Sequence, residues 1–342
     1  MKPILLSALA LALAAPGRAL ASADGAPSSG EAFESLVREL PALVRASRTA
    51  APKPPVVCSA LDFSGATWPP SMTADDRAAL ELSLNISGSF EGSDGWVNLT
   101  NDFDGQGLSL GVLNQCLGQG SLQPMLIRLR DEHPGTLKAL VGPEHLRSLL
   151  DMLTKWQNDA RLGVEDVPLS KLDNPEENGG PQAAAANQES VRWAAANLYE
   201  GGGRFLPEWR TELSALASSP EYVSIQLEAA ARDHEHAVAD EARVGVRELR
   251  GYLFLFDIQV QNGGLYARDF GDYAAYLKKN PRAGATDRMK KLLELRLRHV
   301  RRQYQEDVRS RKLAVILGTG KVHGEARDLP VQYCYDGAWP YR

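Results

Sequence analysis

The sequence predicts a mainly helical, α+β fold: two helical lobes with a small β-hairpin beside a cleft. Three observations predict it. Apolar residues recur at helical spacing through most of the second half, in 188–199, 219–239, 244–261, 270–279 and 287–317, with Pro and Gly at several ends. One Gly-rich, polar stretch, 89–126, interrupts the helical pattern and contains β-formers and turn-formers between Trp96 and Asp104. Finally, 44% hydrophobic and 24% charged residues over 342 positions is the balance of a chain that buries a core, which excludes disorder throughout.

The elements follow in order. Residues 1–23 carry Lys2, an apolar run from Ile4 to Ala15 and the small-residue pattern Ala21-Ser22-Ala23, which reads as a cleaved secretory signal. The protein is therefore expected to be exported, periplasmic or secreted. No later apolar run is long enough to anchor it in a bilayer. Residues 24–57, rich in Ala, Ser and Pro, form an extension, and 58–342 the folded region. Thr73, followed by Asp75 and Asp76, is a helix N-cap with acidic first-turn residues, and the helix should end near 88–92. Leu80, Leu82, Leu84 and Ile86 alternate with period two, as a strand would, but the cap and the Ala, Leu and Glu content favour a helix. The stretch 168–190 gathers Pro, Asn and Gly without large apolar residues and marks a surface loop or lobe boundary.

Charge excludes one class of partner. Lys and Arg number 38 against 43 Asp and Glu, a net −5 that argues against a nucleic-acid binder. Removal of the leader takes away Lys2 and Arg18 and leaves −7. The segment 287–312 holds ten basic and four acidic residues, so the remainder of the mature chain stands at −13. Met289, Leu293, Leu297, Val300, Tyr304 and Val308 keep helical spacing there, which reads as one long helix with a solvated basic face; attraction to an anionic wall polymer is the sharper reading. Three cysteines, Cys58, Cys116 and Cys334, permit one internal bridge. A Cys58–Cys334 bridge would close a long loop, but sequence does not fix the pairing, and Cys116 reads as a buried structural thiol.

The chemistry concentrates in 89–126. Glu91 falls at the C-terminal edge of the first helix, and a hairpin over 96–104 would carry Asp102 or Asp104 across a groove from it. Glycosidic hydrolysis needs one protonated carboxyl to protonate the leaving oxygen and one carboxylate to activate water. Apolar walls and the negative helix end would keep the proton on Glu91, while a solvated Asp would stay ionised.

Glu91, then Asp104-Gly105-Gln106-Gly107-Leu108-Ser109-Leu110-Gly111, then Cys116-Leu117-Gly118-Gln119-Gly120 resembles the catalytic segment of the chitosanases of the lysozyme superfamily. The resemblance implies a lysozyme-like fold, with Glu91 as general acid, Asp104 as general base and Ser109, where Thr is common, holding the attacking water. It also implies inversion, with carboxyls about 6.5–9.5 Å apart. The sequence departs from the pattern in two ways: 13 residues separate Glu91 from Asp104, fewer than usual, and Gln106 replaces a common Arg associated with substrate contact. The run 255–263 resembles the later helix of these enzymes, with Asn262 where His is common, and 307–324 their closing segment. Asp257 would pair with Arg309 or Arg311 in a structural role. Trp96, Asn98, Thr100, Gln106, Gln115 and Asn262 are the candidate sugar contacts, by stacking or hydrogen bonding.

Other motifs carry less. Gly107-Leu108-Ser109-Leu110-Gly111 matches a nucleophile elbow but lacks the preceding apolar strand and alternating βα pattern. Gly318-Thr319-Gly320-Lys321 lacks phosphate-loop spacing and reads as a turn. His234-Glu235-His236 places its histidines on different helix faces and reads as a solvated patch. The expected function is therefore an endo-glycoside hydrolase without metal or cofactor, cutting a β-1,4-linked aminosugar polymer: peptidoglycan first, chitosan as the alternative. A catalytically inactive wall-glycan-binding module is the third reading.

Overall fold

The computed structural model describes residues 58–160 and 180–341. The expected leader, the extension and most of the 168–190 boundary segment lie outside the described residues. Within them the fold is mainly helical, as the sequence predicts: twelve α-helices with one three-stranded and two two-stranded antiparallel sheets.

Helix α1 (Ala74–Glu91) starts at the N-cap expected at Thr73, which proves to be a capping box: the Thr73 side chain accepts from the Asp76 N–H, and the Asp76 carboxylate accepts from the Thr73 N–H at 3.2 Å. It is a helix despite its period-two leucines. Leu80, Leu82, Leu84 and Ile86 are all buried because neighbours cover several sides of it, so an amphipathic stripe is not required of its sequence. After α1 the chain makes a short 3-10 turn (Gly95–Val97) and enters the three-stranded sheet β1 (Leu99–Thr100), β2 (Ser109–Leu110) and β3 (Gln115–Cys116). The expected 96–104 hairpin is corrected here: β1 pairs with β2, Leu99 opposite Leu110, and Asp102–Asp104 form a 3-10 turn in the connection.

Helices α2 (Leu122–Glu132), α3 (Pro134–Leu140), α4 (Pro143–Ala160), α5 (Gly180–Asn197) and α6 (Pro207–Ala217) follow, with the hairpin β4 (Tyr199–Glu200) and β5 (Arg204–Phe205) between the last two. Their core includes Leu126, Leu153, Trp156, Trp209 and Leu213. A second core gathers α1, α8 (Leu249–Asn262), α9 (Ala267–Lys279), α10 (Ala285–Leu297) and α11 (Gln305–Leu317), around Leu82, Phe254, Phe256, Leu293 and Val315. Helix α7 (Pro220–Val244) supplies both: Tyr222, Ile225 and Ala229 to the first, Val223, Leu227 and Ala230 to the second.

Other expectations are corrected. The helix expected over 287–317 is two, α10 and α11, separated by 298–304 with a 3-10 turn at Arg302–Tyr304. Its basic residues do not all face water, since Arg296, Arg311 and Lys312 are buried. The turn expected at 318–321 is strand β6 (Thr319–Val322), paired with β7 (Glu325–Asp328) before the short α12 (Leu329–Tyr333). His234 is buried rather than solvated: its Nδ1 lies 2.7 Å from the Tyr252 hydroxyl, and burial pushes its pKa down to about 4. No described helix is long and apolar enough to cross a membrane.

Cys58 and Cys334 form a disulfide spanning 276 positions, and Cys116 is a buried thiol. Reducing the disulfide, or replacing both cysteines with Ser, should lower unfolding free energy by about 2–5 kcal/mol, read as a fall in thermal midpoint. Glu241 in α7 is buried with no hydrogen-bond partner for Oε1 among the described residues, and burial pushes its carboxyl up to about 8 from an ordinary 4.5. A raised folded-state pKa gives a contribution that is complete below pH 4.5 and is lost as pH climbs to about 8. Glu241→Gln should therefore flatten the decline in stability over that window, measured by denaturant melts between pH 4.5 and 9.

Candidate active site

Glu91 is the last residue of α1, and the Asn98 side chain closes the helix end by donating from Nδ2 to the Glu91 carbonyl at 3.2 Å. The Glu91 side chain, 13% exposed, lies on the wall of a cleft of about 870 Å³. Asp94, Trp96, His323, Glu325 and Arg327 share that wall. Apolar walls were expected around the Glu91 carboxyl, but its Oε1 accepts from Arg311 Nη1 at 2.8 Å. Phe90 beside it is stacked on by two guanidiniums, Arg311 at 4.9 Å and Arg327 at 5.3 Å from the ring centroid. Arg327 Nη2 donates to Ser89 Oγ, tying β7 to the same end of α1.

Arg311 is fixed from behind. Its Nε and Nη2 donate to both oxygens of Asp257 at 2.6 to 3.1 Å, and Lys312 Nζ donates to Asp257 Oδ2 at 2.6 Å and to the Asp257 carbonyl at 2.7 Å. All three are buried. Burial acts to raise the Asp257 carboxyl, yet Arg311 and Lys312 hold it well below the usual carboxylate range. The pairing of Asp257 with Arg311 is one of the two expected from sequence; its extension to Glu91 and Lys312 was not anticipated. Lys312 continues the network to Gln261 Oε1 at 2.8 Å, and Gln261 Nε2 donates to Asp307 Oδ2 at 3.2 Å. The signal for this network is legible in retrospect: Val308, Arg311, Lys312 and Val315 occupy the apolar stripe of α11, where cations require internal partners.

The glycine signature folds as one unit. Gly107 and Gly111 adopt φ of +78° and +91°, and a Cβ on Gly111 would stand 2.4 Å from Gln226 Oε1, which accepts from the Val112 N–H. These positions are demanded by backbone and docking onto α7. Asp102 Oδ1 accepts from the Gly107 N–H at 2.6 Å and Asp104 Oδ1 from the Gln106 N–H at 3.2 Å. Tyr199 donates to the Gly107 carbonyl, and burial, then Asp102 and Asp104, push its hydroxyl pKa up. Asp104 is exposed and Asp102 partly so, but neither lines the cleft with Glu91.

The remaining candidates are dispersed. Trp96 lines the cleft, edge-on to Phe63, with its Nε1 donating to the Asp62 carbonyl at 2.9 Å. Thr100 donates to Asn114 Oδ1 and lines a smaller hollow of about 430 Å³ with Asn101 and Arg204. Ser109 and Gln115 are buried in the sheet, and Gln115 Oε1 has no hydrogen-bond partner among the described residues. Gln106 Oε1 lies 3.4 Å from Cys116 Sγ. Asn262 is buried at the end of α8, its carbonyl accepting from Arg296.

No family model and no curated protein matches the chain. Among solved structures it is similar to the GH46 chitosanase of Gynuella sunshinyii in complex with chitotetraose, at 17% identity and TM-score 0.44, covering 75% of this chain and 97% of that one. It is also similar to native chitosanase from Bacillus subtilis MY002, at 12% identity and TM-score 0.43, covering 75% and 97%. A co-crystal structure of chitosanase OU01 with substrate gives 15% identity and TM-score 0.41, covering 75% and 96%.

Asp257→Ala would leave two buried cations without their shared carboxylate. It should cost about 3–5 kcal/mol, seen as a lowered midpoint in urea unfolding.

Proposed function

We propose that the protein is an exported endo-glycoside hydrolase acting on a β-1,4-linked aminosugar polymer. The observation that carries the reading is Glu91: a carboxyl at a helix end, on the wall of a large cleft, held by a guanidinium that is itself clamped by Asp257. Glu91 gives its proton to the glycosidic oxygen as the C1–O bond breaks. Arg311 Nη1 is already placed against the carboxylate charge that develops in that step, and stabilises it without reorganisation. Water attacks C1 from the opposite face and passes its proton to a second carboxylate; Asp104, the base the sequence offers, is exposed but lies off the wall that carries Glu91, so the Asp104→Asn variant decides that assignment.

Charge on the cleft wall favours a polymer with free amines. Apart from Glu91, which is matched by Arg311, Asp62, Asp94 and Glu325 line it against Arg327, whose Nη1 stands 3.6 Å from Glu325. An acid-lined cleft concentrates a cationic chain and repels an anionic one. This supports chitosan over fully acetylated peptidoglycan, the polymer expected first from export and from Gln106.

Release of reducing ends should be measured on chitosan, N-deacetylated peptidoglycan and peptidoglycan. Wild type is expected to cut chitosan fastest and to slow as salt rises. Glu91→Gln should lose roughly 100-fold or more, the scale of a general acid, and Asp104→Asn a comparable amount. Full activity in Glu91→Gln refutes the acid assignment. Activity kept in Asp104→Asn alone moves the base to Asp102, cleavage of peptidoglycan alone reverses the choice of polymer, and binding without cleavage makes the protein a glycan-binding module.

A further inference from the structure

His323 lies on the same cleft wall as Glu91, at a place where the backbone has no use for an imidazole. Val322 pairs with Glu325, so β6 and β7 are joined by a two-residue loop, His323-Gly324, with φ of +50° and +88°. Positive φ at both central residues is the type I′ requirement, best met by Asn-Gly or Gly-Gly. A histidine in the first position is held in the left-handed region at a cost that Asn or Gly would reduce. The turn alone does not account for it.

The ring, about half exposed, nevertheless has a carboxylate beside it. Nε2 stands 2.9 Å from Asp307 Oδ1, and the other Asp307 oxygen accepts from Gln261 Nε2. Gln261 accepts from Lys312, and Lys312 shares Asp257 with Arg311, which holds Glu91. One chain of contacts thus links two side chains on a single cleft: Glu91 at one end and His323 at the other. With Nε2 beside Asp307, Nδ1 is the ring nitrogen left to meet a ligand.

We propose that His323 is a substrate-contacting residue, its Nδ1 hydrogen-bonding a hydroxyl or amine of an aminosugar unit in the cleft. The inference rests on the hydrolase reading and deepens it by naming a specificity contact outside the acid and base. It follows from the juxtaposition of an imidazole that the turn does not require, a carboxylate beside it and a cleft whose wall carries carboxylates.

His323→Asn is the discriminating variant, because Asn suits the turn and removes the ring. On chitosan, KM should rise roughly three- to tenfold, the worth of one uncharged hydrogen bond, with kcat within about twofold and the thermal midpoint unchanged or raised. His323→Gly, which fits the turn equally, should give the same split. Titration of a glucosamine oligosaccharide into Glu91→Gln, with and without His323→Asn, should show the same loss of affinity without turnover. Unchanged KM and affinity in both turn-compatible variants, with wild-type cleavage intact, overturns the His323 assignment and leaves the hydrolase reading standing. A wild type that neither cleaves nor binds aminosugar polymers overturns the hydrolase reading and this inference together.

Discussion

A single carboxylate with no exposed surface, Asp257, is the constraint around which the rest is arranged. It sits in α8 among Phe254, Phe256, Ile258 and Val260, and it brings Arg311 and Lys312 of α11 into the interior. Three charges out of water are expensive, and apolar residues of equal volume would serve stability as well or better. What apolar residues would lack is a guanidinium edge directed at Glu91. The buried triad is therefore better understood as a device for placing Arg311 than as a contribution to stability. The last turn of α1 and the cleft wall are tied to it through hydrogen bonds, and the β6–β7 hairpin through the His323–Asp307 contact.

Much of this was legible in the sequence, for identifiable reasons. Capping chemistry is local, so Thr73 and Asp76 announced α1 and placed Glu91 at its end. Helical spacing of apolar residues announced α7 to α9. The sheet was harder to read: β1, β2 and β3 are two residues each, too short for alternation to register, so the segment could be singled out while its pairing could not. Asn98 and Gln115 show a different gap. A polar residue in a Gly-rich stretch has the same letter whether it caps a helix, fills a sheet or meets a sugar, and only the fold distinguishes them. His323 gave no signal at all, because a two-residue loop has no periodicity and its partner Asp307 is remote in the chain.

Charge changed meaning in the same way. The basic excess of 287–312 suggested an outward-facing cationic helix, but Arg296, Arg311 and Lys312 are internal. A formal count treats these as surface field, although two of them are spent against Asp257. The acidic character that matters is local instead, on the wall beside Glu91, where it acts on anything that enters.

Helix α7 has a consequence for how the molecule comes apart. Its 25 residues present Tyr222, Ile225 and Ala229 to one core, and Val223, Leu227 and Ala230, only a residue or two away, to the other. Neither core can lose this helix without stripping a wall from its neighbour, so the two are energetically coupled through shared backbone rather than through a surface contact. Loosening on one side should therefore be felt on the other through this shared helix.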